Sequence, residues 1–205
     1  MISEQSVFIV DDDASFRNAV QRVFRSAGFR VETFESAAAF LSGYQPCDEA
    51  CLILDLRMPE VGGLELLERL RQRQIDLPVI IYTGNADVPV TVRAMQTGAF
   101  AVVEKPFSDE LLIERVRDAI TSSRMRRARN ATIAEARAKL AGLTEREREI
   151  ARCLAEGFSA PQIGAQLGIS ARTVEAHRAN LFRKLDVTSI ATVAQLVLWA
   201  DLGDG

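Results

Sequence analysis

Histidine occurs once in this 205-residue chain, tryptophan once and cysteine three times. The lone His177 stands far from Cys47, Cys51 and Cys153, and no Cys-x-x-Cys spacing occurs, so the usual ligand sets of a zinc centre are missing. An odd number of cysteines speaks against a disulfide framework. They read as reduced, small packing residues, with a redox role for the Cys47/Cys51 pair as the alternative. Long apolar runs are missing too. The short run Val79-Ile-Ile-Tyr82 typifies the apolar segments, so no membrane span is expected. The opening Met-Ile-Ser-Glu-Gln-Ser lacks the basic-then-apolar plan of a secretory signal, and cytoplasmic residence is the expectation.

What is present divides in two. Apolar residues make up 48% of the chain, enough for a packed core. Up to Ser123 there are 12 Lys/Arg against 19 Asp/Glu, and from Arg124 onward 13 against 9. An acidic front and a basic back point to separate domains, the second suited to nucleic acid. In the front part, short runs rich in β-branched residues (Val7–Val10, Val31–Phe34, Cys51–Leu54, Val79–Tyr82, Ala101–Val103) alternate with helical periodicity at Ala14–Ala27, Ala37–Leu41, Leu64–Arg73, Pro89–Gln96 and from Glu110. Five such units predict an α/β doubly wound, five-stranded parallel sheet with helices on both faces.

From Asp109 to Lys139 the pattern is helical, with Leu112, Val116, Ile120, Ile133, Ala136 and Leu140 on an apolar face. Thr121-Ser-Ser123 offers a place to bend, and the cluster Arg124–Arg129 reads as solvated. After Gly142 only helices are expected. Thr144-x-x-Glu147 and Ser159-x-x-Gln162 are capping boxes, Gly157 and Gly168 stop the first two helices, Ser170 caps Ala171–Leu185, and Ile190–Ala200 completes a four-helix all-α domain.

The strand ends carry polar residues: Asp11-Asp12-Asp13 after the first strand, Asp55 after the third, Thr83 closing the fourth and Lys105 closing the fifth. In a doubly wound sheet these ends converge on one crevice. Crowded carboxylates there call for a cation, and oxygen-only ligands suit Mg²⁺ or Mn²⁺. Asp55 then reads as a carboxylate nucleophile toward phosphorus, with Lys105 and Thr83 as phosphate contacts and Asp11, Asp12, Asp55 and the Arg57 backbone carbonyl as metal ligands. Singly, each residue has a plainer reading: Asp13 as a helix cap, Lys105 as a surface charge, Thr83 as a turn residue. Val-Asp-Asp-Asp, Leu54-Asp-Leu-Arg-Met-Pro59, Tyr82-Thr-Gly84 and Glu104-Lys-Pro-Phe107 resemble the receiver domains of response regulators over about the first 120 residues. The resemblance implies Asp55 as phosphoacceptor and Thr83 as a switch residue. Receivers usually carry Tyr or Phe three residues before the lysine. Here that switch position is Val102, with Phe100 expected on the same strand face.

In the back half, Pro161–Leu167, a turn at Gly168-Ile-Ser170 and Ala171–Leu185 read as helix-turn-helix. The second helix presents Arg172, Thr173, Glu175, Arg178, Asn180, Arg183 and Lys184, types that match base edges and phosphates, while Val174, Leu181 and Leu185 face the core. An intrahelical Glu175–Arg178 pair is the competing use of Glu175. Leu143-Thr-Glu-Arg-Glu147, Ile163–Ser170 and Thr173-Val-Glu-Ala-His-Arg178 resemble the LuxR-type DNA-binding domain, and 173–180 is particularly similar to FixJ. That resemblance implies that Glu175, Ala176 and Ala179 face bases, while Thr173 and Lys184 lie near phosphates.

Together the two resemblances imply the FixJ/NarL class of two-component response regulators. The expected domains are a receiver at 1–121, a helical linker at 122–141 and a DNA-binding domain at 142–205. The expected partners are a sensor histidine kinase, double-stranded promoter DNA, RNA polymerase and, on phosphorylation, a second copy through the Pro89–Ile120 face. His177 lies in the DNA-reading helix, so the phosphoryl group comes from another protein or a small acyl phosphate. The only enzymatic activity expected is Mg²⁺-dependent self-phosphorylation and slow dephosphorylation at Asp55. Two rival readings remain: a phosphatase, and a phosphorylation-independent DNA binder whose receiver only dimerises.

Overall fold

A computed structural model describes residues 5–84 and 86–202. Its contacts divide the chain into two compact units, residues 1–125 and 126–205. In the first, five parallel strands, β1 (Ser6–Val10), β2 (Arg30–Phe34), β3 (Ala50–Leu54), β4 (Val79–Thr83) and β5 (Ala101–Glu104), form one sheet in the order β2-β1-β3-β4-β5. The helices α1 (Ala14–Ser26), α2 (Ala37–Gly43), α3 (Gly63–Gln72) and α4 (Val88–Thr97) alternate with the strands, and α5 (Asp109–Ala141) follows them.

The central strands β1, β3 and β4 are buried along their length, and successive side chains alternate between the two faces of the sheet. Val7, Ile9, Cys51, Ile53, Ile80 and Tyr82 face one side, where Val20 and Phe24 of α1 and Leu112, Val116 and Ile120 of α5 cover them. Phe8, Val10, Leu52, Leu54, Val79 and Ile81 face the other, under Phe40 of α2, Leu66, Leu67 and Leu70 of α3 and Ala94 of α4. A fully buried aliphatic side chain contributes about 1.5–3 kcal/mol, so the two apolar layers hold the sheet between them. Phe100 departs from expectation. It packs with the α1/α5 layer and Val102 with the opposite one, because Phe100 precedes β5 and the strand's alternation does not govern it.

One further expectation is corrected: the arginine cluster is not wholly solvated, because Arg127 is half-buried. The helix α5 continues for 33 residues through Thr121–Ser123, since neither serine nor threonine breaks a helix as proline does. Residues of α5 from Arg126 onward belong to the second unit.

There α6 (Glu145–Ala155), α7 (Ala160–Leu167), α8 (Ala171–Leu185) and α9 (Ile190–Asp201) pack around Ile150, Leu154, Ile163 and Val174 and around Ala151, Leu181, Leu185, Val193 and Val197. Phe182 touches both clusters. Both capping boxes form. Ser170 caps α8, and Gly168 closes α7 in the left-handed conformation at φ 68°. Cys51 and Cys153 are buried and Cys47 half-buried, all three as free thiols.

One ion pair ties α6 to α8. Glu147, only 4% exposed, accepts from the Thr144 N–H at 2.8 Å and from the Lys184 ammonium at 2.7 Å. The Lys184 hydrogen bond, with the Thr144 bonds behind it, outweighs burial and holds the Glu147 carboxyl below its ordinary range. A depressed carboxyl contributes stability above its unfolded-state pKa and loses it as pH falls through the folded value. Lys184→Ala leaves the buried Glu147 carboxylate with its Thr144 bonds but without its counter-charge and should cost about 1–3 kcal/mol at pH 7. The difference from wild type should shrink below about pH 4 in chemical denaturation followed across pH. In the first unit, a Cβ on Gly63 would lie 2.2 Å from the Asp55 carbonyl oxygen. Gly63→Ala should therefore lower stability by about 1–3 kcal/mol, read as a lower urea midpoint.

Candidate phosphoryl site and candidate DNA-facing helix

Sheet order places the first site. Between β1 and β3 the direction of winding reverses, which opens a crevice beyond their carboxyl ends. The Asp55 N–H donates to the Val10 carbonyl at 2.9 Å and the Lys105 N–H to the Thr83 carbonyl at 2.8 Å, so backbone ladder bonds set both residues. Asp11 and Asp55 are 2% and 7% exposed. The Lys105 ammonium donates to Asp11 Oδ2 at 2.8 Å and to Asp55 Oδ1 at 2.9 Å. Three residues 94 and 50 positions apart thus share one charge cluster.

The remaining bonds orient the carboxylates. The Arg57 N–H donates to Asp55 Oδ2 at 2.6 Å, and the Asp13 N–H donates to Asp11 Oδ1 at 2.8 Å. Asp13 itself caps α1, accepting from the N–H groups of Ser15 and Phe16, which is its plainer reading. Asp12 is exposed. Gly63, without a side chain, lets the 56–62 loop close over the Asp55 carbonyl. Thr83 is buried at the end of β4, in register with Glu104. Burial pushes the Asp11 carboxyl above its ordinary pKa despite its bond to Lys105. Burial also works against the Lys105 ammonium, but its bonds to Asp11 and Asp55 more than offset that and raise its pKa.

The donors here are carboxylate and carbonyl oxygens, the chemistry of a hard divalent cation. Among the described residues no three carboxylates form a closed cage. Mg²⁺ commonly takes one or two carboxylates and keeps several waters, so the buried pair Asp11 and Asp55, which share the Lys105 ammonium, fits that chemistry.

Sequence reasoning missed the surroundings of Lys105. The Phe16 ring centroid lies 3.8 Å from its nitrogen and that of Tyr82 5.5 Å away, and Arg17 holds the Asp11 carbonyl at 2.6 Å. In the sequence Phe16 lies within a helical span and Tyr82 within a strand run, and only the strand order brings α1 and β4 to the end of β5.

On α8 the expected residues divide. Arg172, Glu175, Ala176, Ala179, Asn180 and Arg183 are exposed on the helix, and Arg178 is half-buried. Glu175 accepts from Arg178 at 3.4 Å, the competing pair, and Arg178 lies over the Phe182 ring. Asn180 accepts from Arg183 at 2.9 Å. Thr173 serves the helix start, its hydroxyl 2.8 Å from that of Ser170. Lys184 is bonded to buried Glu147. The residue expected near a phosphate thus has a structural partner that no local sequence pattern announces. Among the described residues no helix is long and apolar enough to cross a membrane.

Comparison with known proteins agrees with this geometry. Residues 7–117 match the response regulator receiver domain family, and residues 141–197 match the bacterial regulatory proteins of the luxR family. The chain is 39% identical to the transcriptional regulatory protein FixJ of Azorhizobium caulinodans, over 95% of this chain and 92% of that one. It is 36% identical to FixJ of Rhizobium meliloti, over 98% and 99%. Among solved structures it resembles the response regulator StyR (TM-score 0.78, 37% identity, 95% of this chain and 98% of that one) and full-length FixJ from B. japonicum (0.61, 34%, 98% of each). A receiver sheet joined in one chain to a LuxR-type helix-turn-helix, with relatives matched along nearly their whole length, makes this protein a member of the response regulator family, a phosphorylation-controlled regulator of transcription.

Proposed function

We propose that Asp55 is the phosphoacceptor and that its phosphorylation by a sensor histidine kinase drives dimerisation and DNA binding. The observation that carries this reading is the Lys105 ammonium held between Asp11 and Asp55 at the strand ends. A carboxylate oxygen of Asp55 forms the new bond to phosphorus as the P–N bond of a phosphohistidine breaks, giving an acyl phosphate and free imidazole. A small acyl phosphate serves as an alternative donor, and slow attack by water reverses the step. Asp11, Asp12, Asp55 and the Arg57 carbonyl would hold Mg²⁺ or Mn²⁺, which would supply positive charge to the phosphoryl oxygens. Lys105 moves its hydrogen bonds from carboxylate to phosphoryl oxygen, and the Thr83 hydroxyl donates to another.

The output face of the receiver is α4. Val88, Val92 and Met95 recur at helical spacing and are 75%, 47% and 47% exposed, an apolar stripe that a second receiver would cover. Val102 brings no aromatic ring to the switch, so Thr83 and α4 carry the change. Converting a mostly inactive population to a mostly active one takes about 5.5 kcal/mol of differential stabilisation. Paired receivers raise the effective concentration of two α8 helices on a repeated half-site. In the groove, Arg172, Glu175, Ala176, Arg178, Ala179 and Asn180 face bases or phosphates, with Thr173 and Lys184 at the edge. Residence in the cytoplasm and contact with RNA polymerase complete the reading.

With Mg²⁺ and beryllofluoride, sedimentation should shift the wild-type protein from monomer to dimer, while Asp55→Asn and Val92→Glu both stay monomeric. A wild-type protein that is already dimeric and binds DNA fully without a phosphoryl mimic would instead establish the phosphorylation-independent reading. Arg172→Ala should weaken promoter binding by about 5- to 100-fold if the guanidinium contacts a base. If it contacts a phosphate, a salt titration should show the slope of log K against log salt falling by about 0.9.

A further inference from the structure

We infer that Phe16 is a positioning residue for phosphoryl transfer, its ring face holding the Lys105 ammonium at the acceptor site. The inference rests on the reading of Asp55 as acceptor. An ammonium has three N–H donors. Two go to Asp11 Oδ2 and Asp55 Oδ1. Carboxylates do not occupy the remaining side: the Phe16 ring centroid lies 3.8 Å from the nitrogen and the Tyr82 centroid 5.5 Å away. A cation over a ring face is attracted by the ring's quadrupole, more strongly where water is excluded.

The aromatic pair is itself anchored. Phe16 and Tyr82 meet at 5.4 Å between centroids, with Phe16 in the first turn of α1 just after Asp13 caps it. The Tyr82 hydroxyl accepts from the Phe107 N–H at 3.3 Å, two residues beyond Lys105. The wall against the ammonium is therefore tied to α1, to β4 and to the loop after β5. When a phosphoryl group on Asp55 becomes the new acceptor, the ammonium pivots against a fixed ring instead of being drawn out by water. Leucine at position 16 would keep an apolar side chain there and remove only the π face, whereas tyrosine would keep both.

The test uses the full chain with acetyl phosphate and Mg²⁺, following phosphoprotein formation at Asp55, alongside NMR of the Lys105 ε-methylene protons in unphosphorylated protein. Phe16→Leu should slow phosphorylation about threefold to tenfold, and Phe16→Tyr should remain close to wild type. Ring current should shift the Lys105 ε-methylene resonance upfield in wild type and Phe16→Tyr, and in Phe16→Leu the shift should shrink to the smaller part that the more distant Tyr82 ring supplies. A wild-type rate in Phe16→Leu, or equal slowing in both variants, would overturn the role of the ring while leaving Asp55 as acceptor. No upfield shift in the wild type overturns it without recourse to any variant. If the wild type takes no phosphate on Asp55, the reading of the site fails, and the inference fails with it.

Discussion

Two buried carboxylates, Asp11 and Asp55, lie at the ends of adjacent strands, and a single ammonium on Lys105 lies within hydrogen-bonding distance of both. Buried charges of one sign are costly unless paired, so this contact allows the strand ends of the receiver to be polar. The backbone supports it from below, with the Asp55 N–H bonded to Val10 and the Lys105 N–H bonded to Thr83. Gly63 supports it from the side, where any Cβ would displace the loop that carries Arg57.

The sheet and its two layers are the frame for that contact. The central strands β1, β3 and β4 are buried on both faces, so their ends are packed against helices on either side. The α4 helix is the exception to dense packing. Only Ala94 of its ten residues is fully buried, while Val88, Val92 and Met95 stand exposed. The helix is held by little buried surface, and the residues it exposes include an apolar stripe. The Glu68–Arg93 pair at 3.0 Å and the Arg71 bond to the Gln96 carbonyl tether α4 to α3 through exposed contacts of small worth.

The DNA-binding unit solves a different problem. Its helices are short, and its stability depends on caps and on small hydrophobic clusters rather than on one large core. Lys184 illustrates the economy of such a domain. It lies on the second helix of the helix-turn-helix, yet its ammonium satisfies the buried Glu147 at the start of α6. Thr173 and Ser170 are likewise occupied at the start of α8. Along the rest of the helix Arg172, Glu175, Ala176, Ala179 and Asn180 are exposed, with Glu175 paired to Arg178 and Asn180 to Arg183.

Much of this was legible in the sequence, because strands and helix starts are local matters. Alternating apolar runs placed all five strands to within a residue or so, and the Thr144 and Ser159 boxes marked helix starts whose bonds close within four residues. Polar residues at strand ends identified Asp11, Asp55, Thr83 and Lys105, because the doubly wound topology sends those ends to one crevice. Contacts between distant segments were not legible in this way. Phe100 precedes its strand and so escapes the alternation, and α5 continues through Thr121–Ser123 because residues of modest helix propensity are carried by the flanking turns. The partner of Lys184 and the rings around Lys105 depend on which helix lies beside which strand end. The sequence by itself determined the elements, their caps and the chemistry at the strand ends, since those depend on neighbours a few residues away. Only the tertiary structure decided where each ammonium sits, because that depends on groups brought together across as many as 94 residues.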